Sequence, residues 1–281
     1  MVSPILLVLG AFAGKLAGMN SSPLDFIPSR SSAESAGFRF GAVGTHSSRT
    51  LMFAELRGLL GAGAALARDD YRRLAVEDNL LGKPTTSTRK ITFQRLSELY
   101  GFAPEMPLFR LLTKLWVLGE AARPQLALLV ALARDPLLRA SATPIPELTS
   151  GADFPRHAMA EAIRHLTEDR LNPAILDKVL RNCASSWSQA GFFEGRTFKR
   201  RTKVTATFPS MTLALALGRL SGFGGAQLFA SPWVSILDTS PTQARELALE
   251  AKRHGLLDLR LSGDVVDMDF SRLDPVFSQI S

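Results

Sequence analysis

Cysteine is all but missing from this chain: Cys183 is the only one among 281 residues. No disulfide can form within the chain, which fits a reducing compartment and points to the cytoplasm. A thiolate–zinc site within one chain is excluded as well. Histidine is scarce, and His46, His157, His165 and His254 do not stand at metal-ligand spacing. No Gly-rich loop ending in Lys-Ser or Lys-Thr occurs, so a nucleotide-driven motor is not expected. Apolar runs are short. The first, at positions 2–13, falls well below the ~20 residues of a bilayer-spanning helix. It also lacks the basic stretch that opens a signal peptide. It reads as a disordered or misassigned start, with Met19 as the alternative initiator, or else as a buried or membrane-touching segment.

Apolar residues make up 46% of the chain, enough for a packed core and too many for global disorder. The formal charge is +7 and the pI about 10.0. A basic balance favours a polyanionic partner. Its distribution is uneven. Residues 1–150 carry 17 basic and 12 acidic side chains and residues 151–255 carry 14 and 9, net +5 in each case. Residues 256–281 carry 2 and 5, net −3, which argues against a phosphate-binding tail.

Residues 20–48 are rich in Ser, Gly and Pro without any period, so positions 1–48 read as a flexible or misassigned N-terminal segment. Leu51, Met52, Leu56, Leu59 and Leu60 give the next stretch one helical apolar face, and a second helix covers 64–79. Pro84 marks a turn, and Ser87 or Thr88 stands where an N-cap is needed. The following helix turns Phe93, Leu96, Leu99 and Tyr100 inward, and Lys90, Gln94 and part of Arg95 outward. A short helix, a turn and an exposed polar helix form the pattern of a helix-turn-helix unit. Helices over 104–118 and 121–135 follow. The second is apolar nearly all round between Arg123 and Arg134, as a central core helix would be. Arg134, Asp135 and Arg139 are expected to pair among themselves. Residues 144–153 read as a linker. Beyond it come helices over 154–166, from Pro173 with Asn172 as its cap, over 209–223, and over 242–254 with Gly255 closing it. Residues 197–208 alternate loosely, as a strand or wing does. Residues 257–270 alternate around Gly263 and read as a hairpin. The expected fold is mostly α: two small helical domains, 49–143 and 154–281, with helix-turn-helix or winged-helix-like elements and short β-hairpins.

Two basic clusters carry the functional reading. In the first, Lys83, Arg89, Lys90 and Arg95 would bind phosphate, Thr86, Ser87 and Thr88 would donate hydrogen bonds from a helix N-terminus, and Gln94 would reach a base edge in the major groove. In the second, Arg196, Lys199, Arg200, Arg201 and Lys203 would contact phosphate, with Trp187 or Phe198 available for stacking. Six to eight neutralised phosphates would make affinity fall steeply with salt. No catalytic constellation, metal or cofactor is expected. Glu77 and Asp78 are adjacent in sequence and do not share a helix face. Asp267 and Asp269, near Asp264, share a strand face and leave a metal-dependent nuclease as a distant alternative.

The segment 76–100, Val-Glu-Asp-Asn-Leu-Leu-Gly-Lys-Pro-Thr-Thr-Ser-Thr-Arg-Lys-Ile-Thr-Phe-Gln-Arg-Leu-Ser-Glu-Leu-Tyr, resembles the small BrxA-type proteins of bacterial BREX phage-resistance systems, as does Asp-Pro-Leu-Leu-Arg at 135–139. The likeness covers 51–139 best, and the apolar start departs from it. It implies a mostly helical, winged-helix-containing fold and DNA binding without assigned catalysis, in a family once labelled as inner-membrane proteins. It singles out Arg89, Lys90 and Arg95, and implies host defence. The expected function is therefore that of a non-catalytic accessory protein that binds double-stranded DNA and works beside other proteins of a defence system. The competing expectation is a protein-interaction subunit whose basic patches only confer solubility.

Overall fold

The computed structural model describes residues 23–25, 27–64, 66–263 and 265–279. The apolar start and the choice between Met1 and Met19 lie outside them, as does Asp264. The described chain is mostly helical, with twelve α-helices and two small antiparallel hairpins. The helices are α1 (Arg30–Ala36), α2 (Phe53–Ala62), α3 (Arg68–Val76), α4 (Thr86–Tyr100), α5 (Pro107–Trp116), α6 (Arg123–Arg134) and α7 (Pro136–Ala140). After these come α8 (Arg156–Thr167), α9 (Pro173–Gln189), α10 (Phe208–Leu220), α11 (Pro232–Ser235) and α12 (Pro241–Arg253). The hairpins are β1 (Phe193–Glu194) with β2 (Arg200–Arg201), and β3 (Asp258–Ser262) with β4 (Val265–Asp269). No helix among the described residues is long and apolar enough to cross a membrane.

The nearly all-apolar composition of α6 decides its place. Every residue from Gln125 to Arg134 is buried, and α4, α5, α7, α9 and α10 all pack against it. A helix without a polar face can only sit inside. α10 is equally apolar and packs on α5, α6, α11 and α12. One apolar cluster therefore runs from Leu24 to Phe277, and Ile145, inside the expected linker, is fully buried in it. The two expected units share this core.

Local signals set the helix ends. Asn172 Oδ1 accepts from Ile175 N at 2.9 Å, with Pro173 at the first helical position. Ser240 and Gln243 form a reciprocal capping box on α12. Gly255, at φ 72, takes the left-handed position after that helix. The cap of α4 differs from expectation. Thr85 holds it, its Oγ1 accepting from Thr88 N at 3.1 Å, so Ser87 and Thr88 lie within the first turn.

The expected flexible lead-in is corrected for its described part. Residues 23–25 and 27–48 pack onto the rest of the chain: Leu24, Ala33, Ala36 and Phe38 join the core, and His46 is fully buried. The reason is the corner between α6 and α7. Arg134 Nη1 donates to Gly37 O at 2.6 Å. Arg139 donates to Arg39 O at 2.9 Å and pairs with Asp25 at 2.8 Å. Asp135 accepts from His46 N at 2.9 Å and from His46 Nδ1 at 2.8 Å. These three residues do not pair among themselves, as the sequence led us to expect; each grips the N-terminal segment instead. Asp135 also caps α7 by accepting from Leu137 N at 3.0 Å and Leu138 N at 3.2 Å. Gly44 passes so close that a Cβ there would lie 2.0 Å from Asp135 Oδ1.

Burial alone would raise the Asp135 carboxyl. The charge of His46 and hydrogen bonds from its ring, its backbone and Leu138 N outweigh that and hold the group below the usual carboxylate value. The folded state thus binds fewer protons here than the unfolded chain. The resulting stability is complete above the unfolded value of ~3.9 and is lost as pH falls through the lower folded value. Asp135→Ala leaves a histidine and two helix N–H groups unpaired and should cost ~3–5 kcal/mol at neutral pH, measured by urea unfolding. Asp135→Asn should flatten the fall of the urea midpoint below about pH 4. Gly44→Ala should destabilise through the clash alone, by ~1–3 kcal/mol.

Candidate nucleic-acid interface

The first cluster lies on α4 and the turn before it. Its inward face is as expected: Phe93, Leu96, Leu99 and Tyr100 are buried. The exposed face holds Thr86, Ser87, Lys90, Ile91 and Gln94. The other cations are committed. Lys83 Nζ pairs with Glu55 at 2.8 Å. Arg95 pairs with Glu98 at 2.7 Å, one turn along the same helix. Gln94 Nε2 donates to the same carboxylate group at 3.1 Å. Arg89 turns back to bind Lys83 O at 3.1 Å and Val76 O at 3.3 Å, tying the turn to α3. Thr88 Oγ1 sits 2.8 Å from Thr85 Oγ1. Lys90 is the one cation of this cluster that pairs with no group among the described residues.

The second cluster spans the β1–β2 hairpin and the irregular chain after it; of the strand or wing expected over 197–208, only Arg200–Arg201 is a strand. Arg201 is 1% exposed, pairs with Asp238, donates to Thr202 O and lies 5.2 Å from the Phe192 ring centroid. It is a core residue, because Asp238 also accepts from Val204 N at 2.9 Å and together they close the chain over Phe192. Arg201 is therefore withdrawn as a phosphate contact. Arg200 pairs with Asp153 at 2.9 Å, and Lys199 Nζ donates to Ser188 Oγ at 2.7 Å. Trp187 is buried, its Nε1 donating to Ser141 Oγ at 2.8 Å, and is withdrawn as a stacking platform. Phe198 is the opposite case. It stands 80% exposed in the loop between the two strands. Arg196 and Lys203 are exposed and have no partner among the described residues.

α9 brings the two clusters near one another. Lys83 and Thr88 line one cleft with Gln189, the last residue of α9, while the preceding residue, Ser188, holds Lys199. The local surface is basic, but carboxylates quench four of the expected contacts: Lys83, Arg95, Arg200 and Arg201.

Sequence reasoning missed a buried constellation. His46 Nδ1 faces Asp135 and its Nε2 lies 2.8 Å from Ser186 Oγ, spaced like a base between its orienting acid and a nucleophile. A carboxylate can only accept, so Nδ1 carries the proton. Ser186 Oγ is sealed from solvent, accepts from Leu51 N at 2.8 Å and lies 2.9 Å from Asn182 O. With its oxygen already engaged by the backbone, it braces residues 46–51 on α9. Asn182 Nδ2 reinforces this by donating to His46 O at 2.8 Å. No periodic signal links positions 46, 135 and 186, so only the fold reveals them. Asp267 and Asp269 are exposed on β4. The main effect on Asp269 is a hydrogen bond from the Ser271 hydroxyl, which holds its carboxyl below the usual range. Among the described residues no group of three or more His, Cys, Asp or Glu side chains is placed to hold a metal ion.

The two kinds of cation should separate by mutation. Arg201→Ala breaks a buried pair and should lower stability by ~3–5 kcal/mol in urea unfolding. Lys90→Ala and Arg196→Ala should change it by less than ~0.5 kcal/mol. No protein-family model matches this sequence, and no curated protein matches it either.

Proposed function

We propose that this protein is a non-catalytic accessory factor that binds double-stranded DNA. The observation that carries this reading is the β1–β2 loop, where the exposed ring of Phe198 stands with Arg196 close by in sequence and Lys203 just beyond β2. A soluble chain gains nothing for its own stability from a phenyl ring in water. Flanked by free cations, such a ring suits contact with sugars and the thymine methyl group, while the cations meet phosphate. The outer face of α4 complements it. Lys90, Thr86 and Ser87 supply phosphate contacts, and Gln94 retains its carbonyl for a base edge. The net charge of +7 favours the same partner. The likeness of residues 51–139 to BrxA-type proteins supports a place in a BREX-type phage-defence system in the cytoplasm, beside other proteins of that system.

A second reading, a protein-interaction subunit without direct DNA contact, draws on a different surface. Val117, 63% exposed, and Leu118 stand together beyond α5, and many surface cations are already paired. The salt dependence of DNA binding separates the two. With Lys90, Arg196 and Lys203 as the free cations, log affinity against log salt should have a slope of about −3. Fluorescence anisotropy on a labelled duplex measures it. Joint replacement of Lys90, Arg196 and Lys203 by Ala should abolish binding at ~0.15 M salt with folding intact. Absence of salt-dependent binding by the unmodified protein would favour the interaction subunit.

A further inference from the structure

We infer that the cleft between the start of α4 and the end of α9 is a binding site for a phosphate ester. This goes beyond duplex contact at the surface and stands without it. The cleft encloses about 390 Å³, within the range of small-molecule sites, and its lining is polar. Three separate stretches of chain build it: residues 48–55, Lys83 with the first two turns of α4, and Asn182 with Gln189 on α9.

Two observations point to a ligand. The first is Arg49. Its Nη1 donates to Ser48 O at 3.1 Å, which fixes the guanidinium in the cleft wall, and no carboxylate among the described residues pairs with it. The remaining N–H groups of that planar fork match two oxygens of a phosphoryl group. The second is Thr92, only 4% exposed, whose hydroxyl bonds to none of the described residues although it lines the cleft. Its oxygen is not sealed off but opens on the cleft, where a bound acceptor can take its hydrogen. Around these two, Lys83 keeps further N–H donors beyond the one given to Glu55, and Thr88 lies one helical turn before Thr92. Asn182 spends its amide N–H on His46 O and retains its carbonyl oxygen for a donor on the ligand. Arg49 and Lys83 therefore hold the phosphoryl group, and Thr92 and Asn182 take up hydrogen-bonding groups of the ester's organic part. Glu55 makes the cleft selective: it leaves a net charge of about +1 there, enough for a phosphate ester and poor for a polyphosphate.

A phosphate ester can be a free nucleotide or a backbone phosphate of bound DNA, and calorimetry and anisotropy distinguish them. Inorganic phosphate and deoxyadenosine monophosphate are titrated into the full-length protein by calorimetry. Duplex affinity is measured in parallel. Arg49→Gln and the near-isosteric Thr92→Val are compared with the unmodified chain, and unfolding curves confirm that both fold. Saturable nucleotide binding, weakened tenfold or more in both variants with duplex affinity unchanged, establishes a free-nucleotide site. No nucleotide binding, but a tenfold loss of duplex affinity in both variants with a salt slope shallower by about one for Arg49→Gln, assigns the cleft to a backbone phosphate. The inference is overturned if neither ligand binds and neither variant alters duplex affinity, or if nucleotide binding is indifferent to both substitutions. Loss of duplex binding through Lys90, Arg196 and Lys203 bears on the surface interface and leaves this result untouched.

Discussion

Asp135 gathers four N–H groups, two from His46 and two from the first turn of α7, around one carboxylate that water does not reach. A charge buried to that depth is tolerable only when its acceptor sites are filled. Filling them forces residues 44–46 against the end of α6, and that docking in turn sets His46 against Ser186 of α9. Arg134 and Arg139 act alongside. Burial, with Arg39 nearby, pulls the Arg134 guanidinium down to about 10, yet it stays cationic at neutral pH and finds carbonyl partners at Gly37 and Glu98. One corner of the main helix thus ties the N-terminal segment, α4 and α9 into a single body.

That body positions the proposed interface. α9 ends between the two basic clusters, and its last turn contributes to the cleft on one side and holds Lys199 on the other. Ion pairing then divides labour among cations that look alike in sequence. Arg201 and Arg89 build the scaffold, Lys83 and Arg95 answer neighbouring carboxylates, and Lys90, Arg196 and Lys203, which pair with nothing among the described residues, are left for the proposed polyanion. Fewer free cations imply weaker, less salt-sensitive association than the raw basic count, which places more of the recognition on Phe198 and the outer face of α4.

Most helices after α1, the C-terminal hairpin and the central place of α6 were legible because periodicity, prolines and caps act over a few residues; α1 and α7 were not. The Asn172 cap and the inward face of α4 followed from spacing alone. The α4 cap did not, since four consecutive hydroxyl residues can each serve and only the three-residue offset to Thr88 N selects Thr85. The packing of residues 23–25 and 27–48 was illegible for a different reason. That segment is Ser- and Gly-rich, and its anchors at 134–139 lie as many as 114 positions away. The site suffered similarly. Arg95–Glu98 is readable as a helical pair, whereas Lys83–Glu55 and Arg201–Asp238 join residues 28 and 37 positions apart. Whether a cation is free is a property of the tertiary structure.

Amide hydrogen exchange of the full chain, with and without a DNA duplex, tests the proposed interface most directly. Protection on DNA addition at residues 194–203 and at the outer face of α4, with residues 258–269 unchanged, is the result the account predicts. Unchanged exchange at both sites, or protection confined to the acidic C-terminal hairpin, would contradict it.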